Sequence, residues 1–153
     1  MNTVNYSTIP GPTVLISCIT RENIHAQTVQ WMVNQRPYGV DIVQLPYTIA
    51  HNRNVQVERF LATKYDYIFI VDADVLPQPH TIERLLTHRR RDELHVAPCL
   101  TWNGKGEVCV MAYYRGNDGL YYPAENASGK TLVVDATGMS GALISRKVFE
   151  AAK

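Results

Sequence analysis

The stretch Tyr67–Pro79, YIFIVDADVLPQP, decides how the rest of the chain is read. Tyr67 to Val71 are nearly continuous β-formers, the signature of a central parallel strand covered on both faces. Asp72 and Asp74 follow, two residues apart, so they point to one side if the strand continues. Pro77 and Pro79 then end any ladder. Like charges side by side repel unless something positive sits between them, and a divalent metal is the usual answer.

Working outward, the flanking segments alternate between strand and helix patterns. TVLISCIT (Thr13–Thr20) is expected as a buried strand, entered through Pro10-Gly11-Pro12. The next helix is expected to bury Val29, Met32 and Val33, and to end at Arg36-Pro37-Tyr38-Gly39. DIVQLPY (Asp41–Tyr47) is a second strand. AHNRNVQVERFLATK is a second helix, whose face is marked by Val57, Phe60, Leu61 and Lys64. A third amphipathic helix after the aspartates runs through Ile82, Leu85 and Leu86. This alternation predicts an α/β fold, three-layer α/β/α around a mostly parallel central sheet. The second half predicts strands at HVAPCL, EVCVMAYY and TLVVDAT, separated by Gly- and Asn-rich turns and thickened by Tyr113, Tyr114, Tyr121 and Tyr122. GALISRKVFEAAK turns from strand to helix.

At 153 residues and a formal net charge of +1, one domain spanning 1–153 with a sizeable core is expected. The charge balance gives no general drive toward nucleic acid. No apolar run has the length of a transmembrane segment, and MNTVNYSTIPGP lacks the regions of a signal peptide. Cys18, Cys99 and Cys109 show no CxxC spacing, which favours reduced, buried thiols and a cytoplasmic location. The sequons at Asn5 and Asn126 carry no meaning without secretion. His25, His51, His80 and His88 are expected at surfaces or caps, and His88–Arg91 as a solvated basic helix end. The tyrosines fit core or sheet surface, or a wet-edged aromatic platform for a ligand.

Ligands of open α/β sheets bind beyond the carboxyl ends of the strands. Thr20-Arg21-Glu22, Pro46–Arg53 and Asp72-Ala73-Asp74 all collect there. Carboxylate oxygens in a D-x-D box suit Mg²⁺ or Mn²⁺ shared with substrate phosphates.

Four segments together resemble glycosyltransferases of the GT-A fold, the family-2-like group in particular. TVLISCITRENIHAQTVQWMVNQ is similar to that family's opening strand, nucleotide loop and helix. HNRNVQVERFLATKYDYIFIVDADVLP resembles its helix running into D-x-D, and HVAPCLTWNGKG its following strand. DATGMSGALISRKVFE resembles its late Gly-rich acceptor loop and Arg-x-x-Phe tail. The resemblance implies a hexosyltransferase-like enzyme using a nucleotide-diphosphate sugar, UDP- or GDP-linked, with Mn²⁺ or Mg²⁺. Residues 1–100 would form the nucleotide-sugar half and 101–153 part of the acceptor half. It implies that Thr20 and Glu22 line the base and ribose pocket and Arg53 the diphosphate. Asp72 would face ribose and metal-bound water, Asp74 would hold the metal, and Gly138 to Gly141 would flank the acceptor.

Inverting relatives draw their catalytic base from a later segment that this sequence does not contain, whereas retaining ones need none there. Asp135 is the first candidate in its place, and Glu125 the second. A partner chain or a second copy would then complete the acceptor side. Two alternatives stand beside this assignment. One is a nucleotide-sugar-binding domain without catalysis. The other is a haloacid-dehalogenase-like phosphatase, in which the first Asp of the box is the nucleophile.

Overall fold

β1 (Val14–Thr20) is buried at every position and sits inside a five-stranded sheet of order β2-β1-β3-β10-β4. Its neighbours β2 (Gly39–Gln44) and β3 (Tyr67–Asp72) both run parallel to it. β10 (Ala142–Ser145) lies antiparallel between β3 and β4 (Leu94–Val96), so four strands share one direction and β10 opposes them. The fold is therefore α/β with a mixed, mostly parallel sheet. The computed structural model describes residues 11–88, 94–97, 100–102, 106, 108–124 and 131–152. Arg89–Glu93, Cys99, Glu125 and both sequon asparagines lie outside the described residues.

Strand alternation sorts the core onto two faces. Val14, Ile16 and Cys18 of β1, with Tyr67, Phe69 and Val71 of β3, pack against Trp31 and Met32 of α1 (Ala26–Asn34) and Ile82 of α3 (Thr81–Thr87). Leu15, Ile68 and Ile70 face the other way, onto Phe60 of α2 (Ile49–Leu61) and Val148 and Phe149 of α4 (Arg146–Ala151). Right-handed crossovers require this. The chain leaves β1 toward β2 on one side, then crosses to β3 on the other, so α1 and α2 cover opposite faces.

Several expected details change. The second strand occupies 39–44 instead of 41–47, because the chain leaves the ladder before Pro46 and caps α2 with Thr48, whose hydroxyl accepts from the His51 N–H at 3.3 Å. Val33 of α1 is 50% exposed, and the buried stripe is Thr28, Trp31 and Met32. On α2 the buried positions are Asn52, Gln56 and Phe60, while Lys64 lies beyond the helix and is exposed. The expected strand at 131–137 reduces to β9 (Ala136–Thr137), with the solvent-exposed Val133 before it. EVCVMAYY divides at Met111 into β6 (Val108–Val110), paired with β5 (Leu100–Trp102), and β7 (Ala112–Arg115). β7 belongs to a separate small sheet of order β8-β7-β9, with β8 at Tyr121–Pro123.

The strand-to-helix turn at Ser145 is where sequence and structure agree closely. Arg146 donates to four carbonyls, those of Phe60, Leu61, Thr63 and Tyr65, at 3.0–3.2 Å. Helix ends leave such carbonyls to be satisfied from outside, and of these four the Phe60 carbonyl also accepts from the Thr63 N–H and hydroxyl. Its guanidinium also lies 4.7 Å from the centre of the Phe60 ring, and Phe149 meets the same ring edge-on at 5.9 Å. The Arg-x-x-Phe pair thus clamps α4 and β10 to the end of α2. Lysine has one point charge and no planar fork to span those acceptors. Arg146→Lys should therefore cost at least about 2 kcal/mol, read as a lower urea midpoint at unchanged slope.

Candidate functional site

With strand order β2-β1-β3, the chain reverses its direction of travel across the sheet at the boundary of β1 and β3. In open α/β sheets, ligands bind at such a point, beyond the carboxyl ends of the strands. The register pairs Ile19 with Asp72, so Thr20 and Asp72 end their strands side by side there. Because residues 68, 70 and 72 alternate onto one face, the Asp72 side chain points toward α2. Arg53, one residue past the buried Asn52, meets it there and forms an ion pair with its carboxylate.

Arg53 is held from behind. Its Nη1 donates to Gln56 Oε1 at 3.0 Å, and Gln56 Nε2 donates to the Ser17 carbonyl at 2.9 Å and hydroxyl at 3.0 Å. Gln56 and Ser17 are fully buried. A chain of polar groups thus runs from inside the sheet to the carboxylate at its edge. Asn52 adds a second anchor, donating to the Leu45 carbonyl at 3.0 Å where β2 ends. Asn52 and Gln56 escaped the sequence analysis because they are polar. The signal was available, since Phe60 fixes the helix phase and positions 56 and 52 lie one and two turns before it on the same side.

The other expected residues converge on the same edge. The Thr20 hydroxyl donates to the Asn23 carbonyl at 2.7 Å, closing the loop after β1, and its carbonyl accepts from the Leu45 N–H at 3.3 Å. Glu22 is exposed on that loop, and its carbonyl accepts from Gln44 Nε2 at 3.0 Å. His25, at the start of α1, donates its N–H to the Ala73 carbonyl at 2.9 Å, tying the loop to the aspartate turn. Asp74 is exposed on that turn. The glycine loop arrives from the far side: the Asp72 N–H donates to the Ser140 hydroxyl at 3.1 Å, and the Gly141 N–H to the Ile70 carbonyl at 2.8 Å. Gly141 has φ +78, and a Cβ there would lie 2.9 Å from the Ala97 carbonyl oxygen. Only glycine lets the loop enter β10 this close to β4. Gly138 sits one step earlier, its N–H on the Met111 carbonyl at 3.3 Å.

Asp135 is placed differently. Its carboxylate accepts the Arg115 N–H at 2.9 Å and its own N–H donates to Tyr113, so it secures the small sheet and is exposed there. A cleft of about 550 Å³, lined by Gly11, Asp66, Tyr67, Ser145 and Arg146, opens at the opposite end of β3. Lys147 and Glu150 also line it, while Asp66 is engaged with the Thr13 N–H and hydroxyl (both 2.8 Å) and Arg146 with the four carbonyls.

The positive partner expected beside the aspartates is thus, for Asp72, an arginine. Asp72 and Asp74 alone are too few for a cage made of protein ligands, and no cluster of three His, Cys, Asp or Glu exists among the described residues. Two carboxylates, one exposed, do fit a hard cation whose remaining positions are filled by water and phosphate oxygens. Cys18 lies beneath this edge. Burial pushes its thiol up to about 11, with the negative charge of Asp72 adding to the effect and Arg53 opposing it.

No protein family and no curated sequence matches the chain. Among solved structures, the chain is similar to A197 from STIV, with a TM-score of 0.62 at 15% identity, over 92% of this chain and 69% of that one. At that identity the likeness speaks for the fold alone. No helix among the described residues is long and apolar enough to cross a membrane.

Two outcomes follow from this geometry. Gln56→Leu keeps the volume but leaves Arg53 and the Ser17 carbonyl without their buried partner, and should lower stability by about 1–3 kcal/mol in urea unfolding. The raised Cys18 pKa, about 11 against a usual 9, keeps the thiol protonated up to strongly alkaline pH. At pH 8 its thiolate fraction is about a hundredfold below that of a free cysteine. Peptide-mapped alkylation of Cys18 should be at least that much slower in the native protein than in urea.

Proposed function

We propose that this chain is a glycosyltransferase domain of the GT-A type, binding a nucleotide-diphosphate sugar at the crevice between β1 and β3. The observation that carries the proposal is the convergence of Thr20, Glu22, Arg53, Asp72, Asp74 and the 138–141 loop on one sheet edge at the switch point. Fold alone does not imply chemistry, so the weight rests on that constellation. The loop of Thr20 to His25, tied to the ends of β2 and β3, forms a wall for the base and ribose. Arg53 offers a fixed positive charge to phosphate oxygens, oriented by Gln56.

Asp72 and Asp74 would hold Mn²⁺ or Mg²⁺ together with the donor's phosphates. Such an ion neutralises the charge that gathers on a departing diphosphate. Asp72 would then share its charge between that ion and Arg53, and the exposed Asp74 would turn toward the ligand. With Ser140 fixed to the Asp72 backbone, the Gly138–Gly141 loop would lie on the far side of the sugar, where an acceptor would approach.

A second reading has its own observation. Asp135 is occupied by the Arg115 N–H in the small sheet, which supports donor binding without an assigned base. General base catalysis contributes about 10²–10⁴-fold, so weak transfer or slow donor hydrolysis distinguishes that case from pure binding.

A thermal-shift panel of UDP-, GDP-, TDP- and CDP-sugars, with and without Mn²⁺, tests the proposal. One donor should raise the melting temperature only when Mn²⁺ is present, because a ligand bound to the native state stabilises it. Mn²⁺ alone should bind weakly, since two carboxylates leave most coordination positions to phosphate and water. Asp74→Asn should abolish the Mn²⁺-dependent shift with the fold intact. No shift with any donor, or a shift unchanged in Asp74→Asn, would overturn the assignment.

A further inference from the structure

The small sheet β8-β7-β9 carries a feature that the donor site does not use. Tyr114 of β7 and Tyr122 of β8 are direct cross-strand partners, so both rings stand on the same face. They are 40% and 49% exposed. Tyr122 is nevertheless fixed at two points. Its hydroxyl donates to Asp118 Oδ2 at 2.5 Å, and its ring lies so close over Gly116 that a Cβ there would come within 2.7 Å of Cε2. Asp118 is held in turn by the Leu120 N–H, which it accepts through Oδ1 at 3.0 Å. The bond from Tyr122 lowers the Asp118 pKa and raises that of the tyrosine, so the carboxylate stays ionised.

We propose that this face binds a carbohydrate chain, with Tyr122 and Tyr114 as the stacking platform and Asp118 as an acceptor for sugar hydroxyls. A pyranose presents apolar C–H groups on its faces and hydroxyls around its rim. A tyrosine ring with a carboxylate at its edge complements both. A carboxylate has about four lone-pair sites, and Asp118 uses two of them within the chain. Because Tyr122 is already immobile, binding costs little side-chain entropy there. The ionised Asp118 disfavours phosphate-bearing polymers and anionic lipid at this face.

Connectivity ties the platform to the crevice. Tyr113 pairs with Ala136, and four residues later Ser140 accepts the Asp72 N–H. Extended chain spans at most about 3.6 Å per residue, so Ala136 lies within about 14 Å of Ser140. Tyr114 is one residue further along β7, and Tyr122 stands a strand beyond it on β8, which adds about 4.8 Å. A ligand reaching from platform to crevice is several rings long. On the glycosyltransferase reading, this makes the acceptor an oligosaccharide whose reacting end sits at the 138–141 loop while inner rings stack on the tyrosines. Carbohydrate binding itself does not depend on that reading.

The test measures polysaccharide binding without any donor. Native electrophoresis through gels containing mannan, dextran, hydroxyethyl cellulose or glycol chitin should retard the protein in at least one. The Tyr114→Ala/Tyr122→Ala variant should bind that polymer at least about tenfold more weakly. Asp118→Asn should weaken it less, because the platform remains. Amide shifts induced in the unaltered protein by hexasaccharides of the same polymer should map to residues 112–122, which keeps the test valid if the double variant fails to fold. Asp74→Asn should bind the polymer normally, so loss of donor binding and loss of carbohydrate binding are separable. The proposal is overturned if no polymer retards the protein, or if the shifts map elsewhere. It is equally overturned if sedimentation shows the face buried in a dimer that the double variant disperses.

Discussion

A buried amide with both ends satisfied holds this architecture to its edge chemistry. Gln56 lies where α2 crosses β1, donating to the Ser17 carbonyl and hydroxyl and accepting from Arg53. An apolar residue would fill the same space, but it would leave the helix free to rotate or slide by small amounts. Directional bonds in a low-dielectric interior permit one arrangement, because any other leaves a buried polar group unpaired. That arrangement aims Arg53 at Asp72. Two aspartates at the end of β3 and in the turn after it are tolerated because Asp72 is neutralised by Arg53 of α2 and Asp74 stands in water.

The division of charge between the two ends of the sheet follows from topology. At the amino end of β3, Asp66 and Arg146 use their charge to satisfy backbone groups, joining β1, α2 and α4. At the carboxyl end, backbone bonds among the loops do that work: His25 to Ala73, Leu45 to Thr20, Gly141 to Ile70. The side chains of Glu22 and Asp74 therefore remain exposed. The reversed β10 matters here, since its antiparallel entry brings Ser140 and Gly141 to the end of β3. A parallel strand in that place would bring its carboxyl end to that edge instead.

The small sheet extends this edge outward. β9 is only two residues long, yet Thr137 donates its hydroxyl to the Met111 carbonyl at 2.7 Å and Asp135 accepts from Arg115. These bonds fix β7 relative to the glycine loop with little apolar burial. Such an appendage, ordered by polar contacts and rimmed with half-exposed tyrosines, is built as surface and adds little to the core.

The strands that bury both faces were legible in the sequence, because continuous apolar runs such as VLISCI and YIFIV have one compatible environment. The helix-to-strand order, the breakers after Asp74 and the turn at Ser145 were legible for the same local reasons. From these came the α/β class and the strand ends on which Thr20 and Asp72 lie. Phe60 marked the phase of α2, but the partners of Asn52 and Gln56 were not legible, since burying these amides is favourable only when the Leu45 carbonyl and Ser17 are already in place. The Arg53 ion pair, the reversed direction of β10 and the dismantling of 131–137 are likewise set by partners distant in sequence. Local pattern determined which segments are strands and helices; tertiary structure alone decided which polar groups meet, because a hydrogen bond across the fold has no signature in the spacing of either residue.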